Sequence, residues 1–126
     1  MIKIGNGQGF WGDSALAPAQ LVKRVPDLDY LTLEYLAEVS LSIMAIQKQK
    51  NPDLGYARDF IETLQELIPY WEKGKKFKVI TNAGGLNPQS CARDCIELLE
   101  DRLSRPIKVG VVFGDDVLKV IDDSSH

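Results

Sequence analysis

The sequence predicts a single α/β domain over residues 1–126, with helices on both faces of a mainly parallel sheet. This is a three-layer α/β/α arrangement, Rossmann-like or flavodoxin-like, with about four strands. The first observation is that strand-like apolar runs alternate with helical patterns along the chain. The second is that two glycine-rich loops, GNGQGFWGDS and TNAGGLNP, each follow a strand and precede a helix.

Local patterns place the elements of the first half. Residues 2–4 (IKI) predict a short buried strand, and Pro18 suits the first turn of a helix that runs to about Val25. Residues 29–33 carry apolar and β-branched side chains at strand spacing. Apolar side chains then recur at helical intervals over residues 37–50 and predict a second helix.

The second half repeats the alternation. An apolar stripe from Tyr56 to Ile68 predicts a helix that Pro69 bends or ends. Residues 77–81 (FKVIT) predict a third strand. Asn87 and Pro88 form an N-cap followed by a proline at the first helical position, so a helix should begin there.

Residues 107–113 (IKVGVVF) predict a fourth strand, because the run is continuously apolar, as in parallel strands covered on both faces. No long helix follows it within the sequence. An uncovered apolar strand favours association, so we expect a homo-oligomer, most simply a twofold dimer that buries Val111 and Phe113. The remainder of a longer protein would cover the same surface.

Composition excludes several classes of function. Fifteen basic and eighteen acidic side chains give a net charge of −3, which argues against nucleic-acid binding as the main role. No apolar run is long enough to cross a membrane, and the start lacks the pattern of a secretory signal. We therefore expect a cytoplasmic protein without membrane contacts.

Cysteine and histidine are too few for the usual reactive sites. Cys91 and Cys95 are the only cysteines, and their spacing places both on one face of a predicted helix, as core residues. His126 is the only histidine and the final residue. A zinc site and a nucleophile activated by histidine are therefore not expected.

The carboxyl ends of parallel strands meet at one edge of a sheet, and this edge is the expected binding site. Backbone N–H groups of glycine loops at helix starts suit a phosphate, a carboxylate or a polarised carbonyl. The purely structural alternative is that the glycines shape tight turns and Asn87 only caps its helix. The candidate binding residues are Gly7, Gly9, Gly12, Asp13, Glu34, Asn82, Gly84, Gly85 and Asn87.

Two more specific interpretations of this edge remain open. Gly7 to Gly12 satisfies the spacing G-x-G-x-x-G, and Glu34 stands where a ribose-binding acid would lie, although Phe10 and Trp11 are bulky for a dinucleotide site. Asp13, Asp115 and Asp116 supply oxygen ligands suited to Mg²⁺, which would also favour a phosphate-containing ligand nearby. Alternatively, Asp115 and Asp116 only cap the next element.

Five segments, taken in order, carry a resemblance to a known family. They are IGNGQGFWGDS, LDYLTLEYLAEVSLS, NPDLGYARDF, VITNAGGLNPQSCA and VVFGDD, and they span nearly the whole chain. Together they resemble the N-terminal domain of the acyclic terpene utilisation (AtuA-like) proteins, whose members are longer than this chain. The family is linked to bacterial breakdown of citronellol- and geraniol-type compounds, alongside acyl-CoA carboxylation and hydration enzymes.

The resemblance implies an N-terminal α/β domain that binds a small anionic or acyl metabolite in acyclic terpene or branched-chain acyl catabolism. It leaves the reaction open. Two rival functions remain, which are the nucleotide-binding domain of an oxidoreductase and a non-catalytic assembly module.

Overall fold

A computed structural model describes the backbone of residues 1–124 and the side chains of residues 1–121, so His126 lies outside the described residues. Strands and helices alternate along this part of the chain. The elements are β1 (Ile4–Gln8), α1 (Ala17–Arg24), β2 (Tyr30–Leu33), α2 (Glu38–Lys50), α3 (Asp59–Glu72), β3 (Lys78–Thr81), α4 (Pro88–Arg102) and α5 (Leu118–Ser124).

The strands form one parallel sheet in the order β1-β2-β3, which confirms the predicted α/β class and parallel pairing. Tyr30 is level with Ile4 on one side and with Lys78 on the other. The register between β1 and β2 shifts between Asn6 and Gln8, so Gly7 is left unpaired. This irregularity bends β1 just before the first glycine loop.

Helix α1 lies close against β1 because two glycines remove side chains from the strand. A Cβ on Gly5 would lie 2.8 Å from the Leu21 side chain of α1. A Cβ on Gly7 would lie 3.1 Å from the Pro18 Cα. Strand β1 also differs from the predicted strand over residues 2–4. It begins at Ile4 and continues to Gln8, through residues that were expected to form a loop.

Helices α1, α3 and α4 form one layer in the described chain, and the predicted three-layer arrangement is not confirmed. Helix α1 packs on β1 and β2, and α3 lies between α1 and α4. The opposite face of the sheet exposes Ile4 and Ile80. Right-handed crossovers between strands in consecutive order place each helix on the same face, whereas a second helix layer needs a reversal of strand order.

The core lies between the sheet and the helix layer. Val22, Leu31 and Leu67 are fully buried there. Trp71 stacks on Phe77 with ring centroids 5.1 Å apart, and the Trp71 Nε1 donates to the Phe77 carbonyl oxygen at 3.1 Å. These contacts join the end of α3 to the residue that precedes β3.

The predicted fourth strand is wrong for this structure, because residues 107–113 pair with no strand. Phe113 is 71% exposed and Val112 is 95% exposed. An apolar, β-branched run indicates strand propensity, but propensity alone does not supply the neighbouring strand that makes the hydrogen bonds. Residues 107–112 instead stand beside the outer edge of β3, across a cleft described below.

None of the helices in residues 1–124 combines the length and the apolar character that crossing a membrane requires.

We predict that Gly7 and Gly9, although both belong to the G-x-G-x-x-G pattern, differ in their effect on stability. Gly7→Ala places a methyl group against Leu31, Leu33 and the α1 backbone and should lower the free energy of unfolding by about 1–3 kcal/mol. Gly9→Ala is the matched control, because no atom lies within 4 Å of its added Cβ. Urea denaturation measures both, and equal losses for the two variants would contradict this packing role for Gly7.

Candidate functional site

The predicted meeting of loops at one edge of the sheet is present, because all three strands run parallel. We call this edge the carboxyl rim, formed by residues 9–13 after β1, Glu34 after β2 and residues 82–85 after β3. The two glycine loops flank β2, so their strands lie two interstrand spacings apart, roughly 10 Å.

The first glycine loop is organised around its own carboxylate. The Gly9 N–H donates to Asp13 Oδ2 at 3.1 Å, and the Ser14 N–H donates to Asp13 Oδ1 at 2.7 Å. Gly12 has a φ of +95°, a conformation that L side chains rarely adopt. An anionic ligand would have to displace Asp13 from Gly9 and would meet its negative charge, which weighs against this loop as a phosphate site.

A buried polar cluster below this loop was not predicted. Gln8, Thr63 and Tyr35 are each at most 2% exposed. Gln8 Nε2 donates to the Ser14 carbonyl oxygen at 3.2 Å and to Thr63 Oγ1 at 3.4 Å, while the Tyr35 hydroxyl lies 3.3 Å from Thr63 Oγ1. Burial raises the pKa of Tyr35, so its hydroxyl stays protonated. A threonine within the apolar stripe of α3 is the sequence signal that points to this cluster.

Glu34 and Asn82 join the ends of β2 and β3. Glu34 Oε1 accepts from Asn82 Nδ2 at 2.6 Å and from the Leu36 N–H at 2.7 Å. Asn82 Oδ1 accepts from the Tyr35 N–H at 2.8 Å. The Asn82 amide and the Leu36 N–H hold the pKa of Glu34 below its usual range. The structure thus brings together these two predicted residues, as a fixed hydrogen-bonded pair.

The second glycine loop packs closely against other parts of the chain and also leaves one of its backbone donors unbonded. Gly85 has a φ of +50°, and a Cβ there would meet the Met44 side chain of α2 and lie 3.0 Å from the Gly55 carbonyl oxygen. A Cβ on Gly84 would lie 2.9 Å from the Pro88 Cα. The Gly84 N–H donates no hydrogen bond within the described chain. That N–H is therefore available to a ligand.

Asn87 is occupied by structural contacts. Its Oδ1 accepts from the Ser90 N–H at 3.3 Å, as an N-cap of α4. Its Nδ2 donates to the carbonyl oxygens of Pro52 and Leu54 at 2.8 and 2.9 Å. Asn87 is 8% exposed, and its hydrogen bonds connect the loop before α3 to the start of α4.

The three predicted metal ligands are not brought together. Asp13 caps the first loop, and Asp116 Oδ1 accepts from the Leu118 N–H at 3.2 Å at the start of α5. Asp115 is exposed and lines the cleft beside β3. Within the described residues no group of three or more histidine, cysteine, aspartate or glutamate side chains is placed to hold a metal ion.

A cleft of about 960 Å³ runs along the outer edge of β3, and we call it the β3 cleft. One wall is β3 with side chains of α3 and α4, and the other wall is residues 105–112. Its volume lies at the upper end of the range for small-molecule sites. This cleft was not predicted from the sequence, because the predicted fourth strand over residues 107–113 pairs with no strand.

The β3 cleft has an apolar lining, and most of its basic residues lie around the amino end of β3. The apolar lining includes Phe60, Leu64, Trp71, Phe77, Val79, Leu99, Ile107, Val109 and Val111. The basic lining residues are Lys75, Lys76, Lys78, Arg105 and Lys108. Asn82, Gly84 and Gly85 of the carboxyl rim line the other end. The cleft therefore offers an apolar surface between cations and a backbone donor.

Both cysteines are free and buried in α4, as predicted, and Cys95 also lines the β3 cleft. A hydrogen bond with the neighbouring Cys95 thiol, together with burial, raises the pKa of Cys91. Residues 1–121 contain no histidine to activate either thiol or a serine. The cysteines thus pack as small core residues.

Comparison with known families confirms the resemblance found in the sequence. The family model described as "Acyclic terpene utilisation family protein AtuA" matches residues 2–126. The chain belongs to the acyclic terpene utilisation family. No curated protein and no solved structure matches this AtuA-family chain.

We predict a pH-dependent contribution of Glu34 to stability. Because folding lowers its pKa from the ordinary 4.5, ionised Glu34 stabilises the fold above that pH, and the contribution is lost as pH falls through the folded-state pKa. Glu34→Gln should therefore lower the melting temperature at pH 7 by roughly 1–5 °C, the scale of an exposed charged hydrogen bond.

Thermal melts of wild type and Glu34→Gln at neutral and strongly acidic pH measure this effect. The difference should disappear in acid. Glu66→Gln, on the exposed side of α3, is the matched control. A difference for Glu34→Gln that is the same at both pH values would contradict the assigned hydrogen bonds.

Proposed function

We propose that this AtuA-family domain binds a small anionic or acyl metabolite of acyclic terpene or branched-chain acyl catabolism, and that the β3 cleft is its site. The observation that supports the proposal is the lining of the cleft, in which aliphatic and aromatic side chains lead from cations to the glycine loop. Such a surface suits an apolar chain that carries a negative charge.

The β3 cleft suits this ligand better than the first glycine loop does. Asp13 already accepts from the Gly9 N–H, and it repels a second anion. The second glycine loop belongs to the cleft and offers the free Gly84 N–H to a carbonyl or carboxylate oxygen. This distribution favours acyl binding over the rival function of dinucleotide binding.

The proposal concerns binding. The residues that line the cleft include Cys95 but no hydroxyl or thiol paired with a base. Free buried cysteines suit a reducing compartment, so we place the protein in the cytoplasm.

Calorimetric titration with a branched medium-chain carboxylate tests the proposal. Val109→Trp enlarges a half-buried side chain that packs against the core from the outer wall of the cleft, and it should weaken binding at least tenfold, about 1.4 kcal/mol. Val39→Trp is the control, because Val39 is exposed on α2 and lies outside the cleft. Absence of binding by the wild type, or equal affinity in Val109→Trp, would refute the β3 cleft as the site.

We also propose that copies of the chain associate through the exposed residues 111–113. Phe113 and Val112 expose large apolar surfaces, which folded monomers usually cover. Sedimentation equilibrium at micromolar concentration should show a dimer for the wild type and a monomer for Phe113→Lys. Phe10→Lys, on the exposed first loop, should remain a dimer. A wild-type monomer would contradict the association.

A further inference from the structure

We infer that the ligand of the β3 cleft is an apolar chain with a multiply charged, phosphate-bearing head, and that the head lies at the amino end of β3. The inference rests on the proposed function, which it makes more specific. It reverses the usual arrangement in parallel sheets, where phosphates bind at the carboxyl ends of the strands.

The charge of the cleft points to the head group. Five basic side chains line it, whereas Asp115 is its only acidic lining residue within the described chain. The chain as a whole carries a net charge of −3, so this concentration of cations runs against its composition. Clustered like charges repel one another, and a bound polyanion relieves that repulsion.

None of the five cations forms an ion pair with a carboxylate within the described residues. The ion pairs found in the described residues involve Lys3, Arg93 and Arg102, none of which lines the cleft. Lys76 and Lys108 are exposed, and neither forms a hydrogen bond or an ion pair within the described residues. These two ammonium groups are therefore available to phosphate oxygens.

The other three cations are held in place around this end of the cleft. Arg105 Nη2 donates to the carbonyl oxygens of Trp71 and Lys75 at 3.1 Å. Lys75 Nζ donates to the Val22 carbonyl oxygen at 3.1 Å. Lys78 Nζ lies 5.6 Å from the Tyr30 ring centroid. These donors are held by neutral groups. Arg105 and Lys75 also interact electrostatically with the nearby Glu72 and Asp27, so the charges left for a ligand are mainly those of Lys76, Lys78 and Lys108.

Geometry sets the direction of the ligand. Lys75, Lys76 and Lys78 precede or begin β3, whereas Asn82 and Gly84 follow it. The apolar lining lies between these two groups. A head at the lysines therefore directs the chain along β3 toward the Gly84 N–H. A volume of about 960 Å³ provides room for both parts.

Calorimetric titrations with three probes test the inference, namely a branched acyl thioester of coenzyme A, a branched alkyl diphosphate and the free branched carboxylate. The two phosphate-bearing probes represent different sources of the same head chemistry. We expect at least one of them to bind ten or more times tighter than the carboxylate.

The charge-reversal variant Lys76→Glu/Lys108→Glu should bind that phosphate-bearing probe at least a hundredfold more weakly and the free carboxylate no more than a few-fold more weakly. Lys23→Glu/Lys50→Glu changes net charge equally at exposed positions outside the cleft and should bind as the wild type does. Circular dichroism confirms that each variant is folded.

The outcomes separate this inference from the proposed function. If the carboxylate binds in a Val109-dependent way but no phosphate-bearing probe binds tighter, the inference fails and the proposed function stands. Equal weakening by the two charge-reversal variants also overturns the inference, because the effect is then one of net charge. If none of the three probes binds the wild type, both fail.

Discussion

Consecutive strand order is the constraint on which the remaining structure depends. Three parallel strands lie in the order β1-β2-β3, and right-handed crossovers place the connecting helices α1 and α3 on one face, where α4 packs on α3. One face of the sheet stays open, and so does the outer edge of β3 in the described chain. The β3 cleft forms along that edge because residues 105–112 stand beside it without pairing.

The glycines of the two loops have different roles, because some allow close packing and one leaves an N–H free for a ligand. Gly5 and Gly7 let α1 approach β1, and Gly85 accommodates the side chain of Met44. The first loop closes on Asp13, which uses the Gly9 N–H that a phosphate would need. The Gly84 N–H remains free beside an apolar surface, so the second loop is the one suited to a ligand.

Sequence patterns predicted those features that local chemistry determines. Asn87 and Pro88 mark the start of α4, and the position of Glu34 and Asn82 at the strand ends follows from parallel pairing. The helix layer and the edge of β3 depend on strand order, which no local pattern encodes. The prediction of a strand over residues 107–113 was wrong because an apolar composition indicates strand propensity without indicating the strand that would pair with it. Gln8 and Thr63 form a hydrogen bond although they are 55 residues apart, and a local periodic pattern cannot predict such a contact.

Hydrogen exchange of the β3 amides in the ligand-free chain tests the open edge most directly. The Lys78 N–H points to β2, donating to the Asp29 carbonyl oxygen at 2.9 Å, so by alternation the Ile80 N–H also points to β2 while those of Val79 and Thr81 point to the cleft. We predict slow exchange at Ile80 and fast exchange at Val79 and Thr81. Slow exchange at Val79 and Thr81 would contradict the account, because a further strand would then occupy the edge on which the β3 cleft depends.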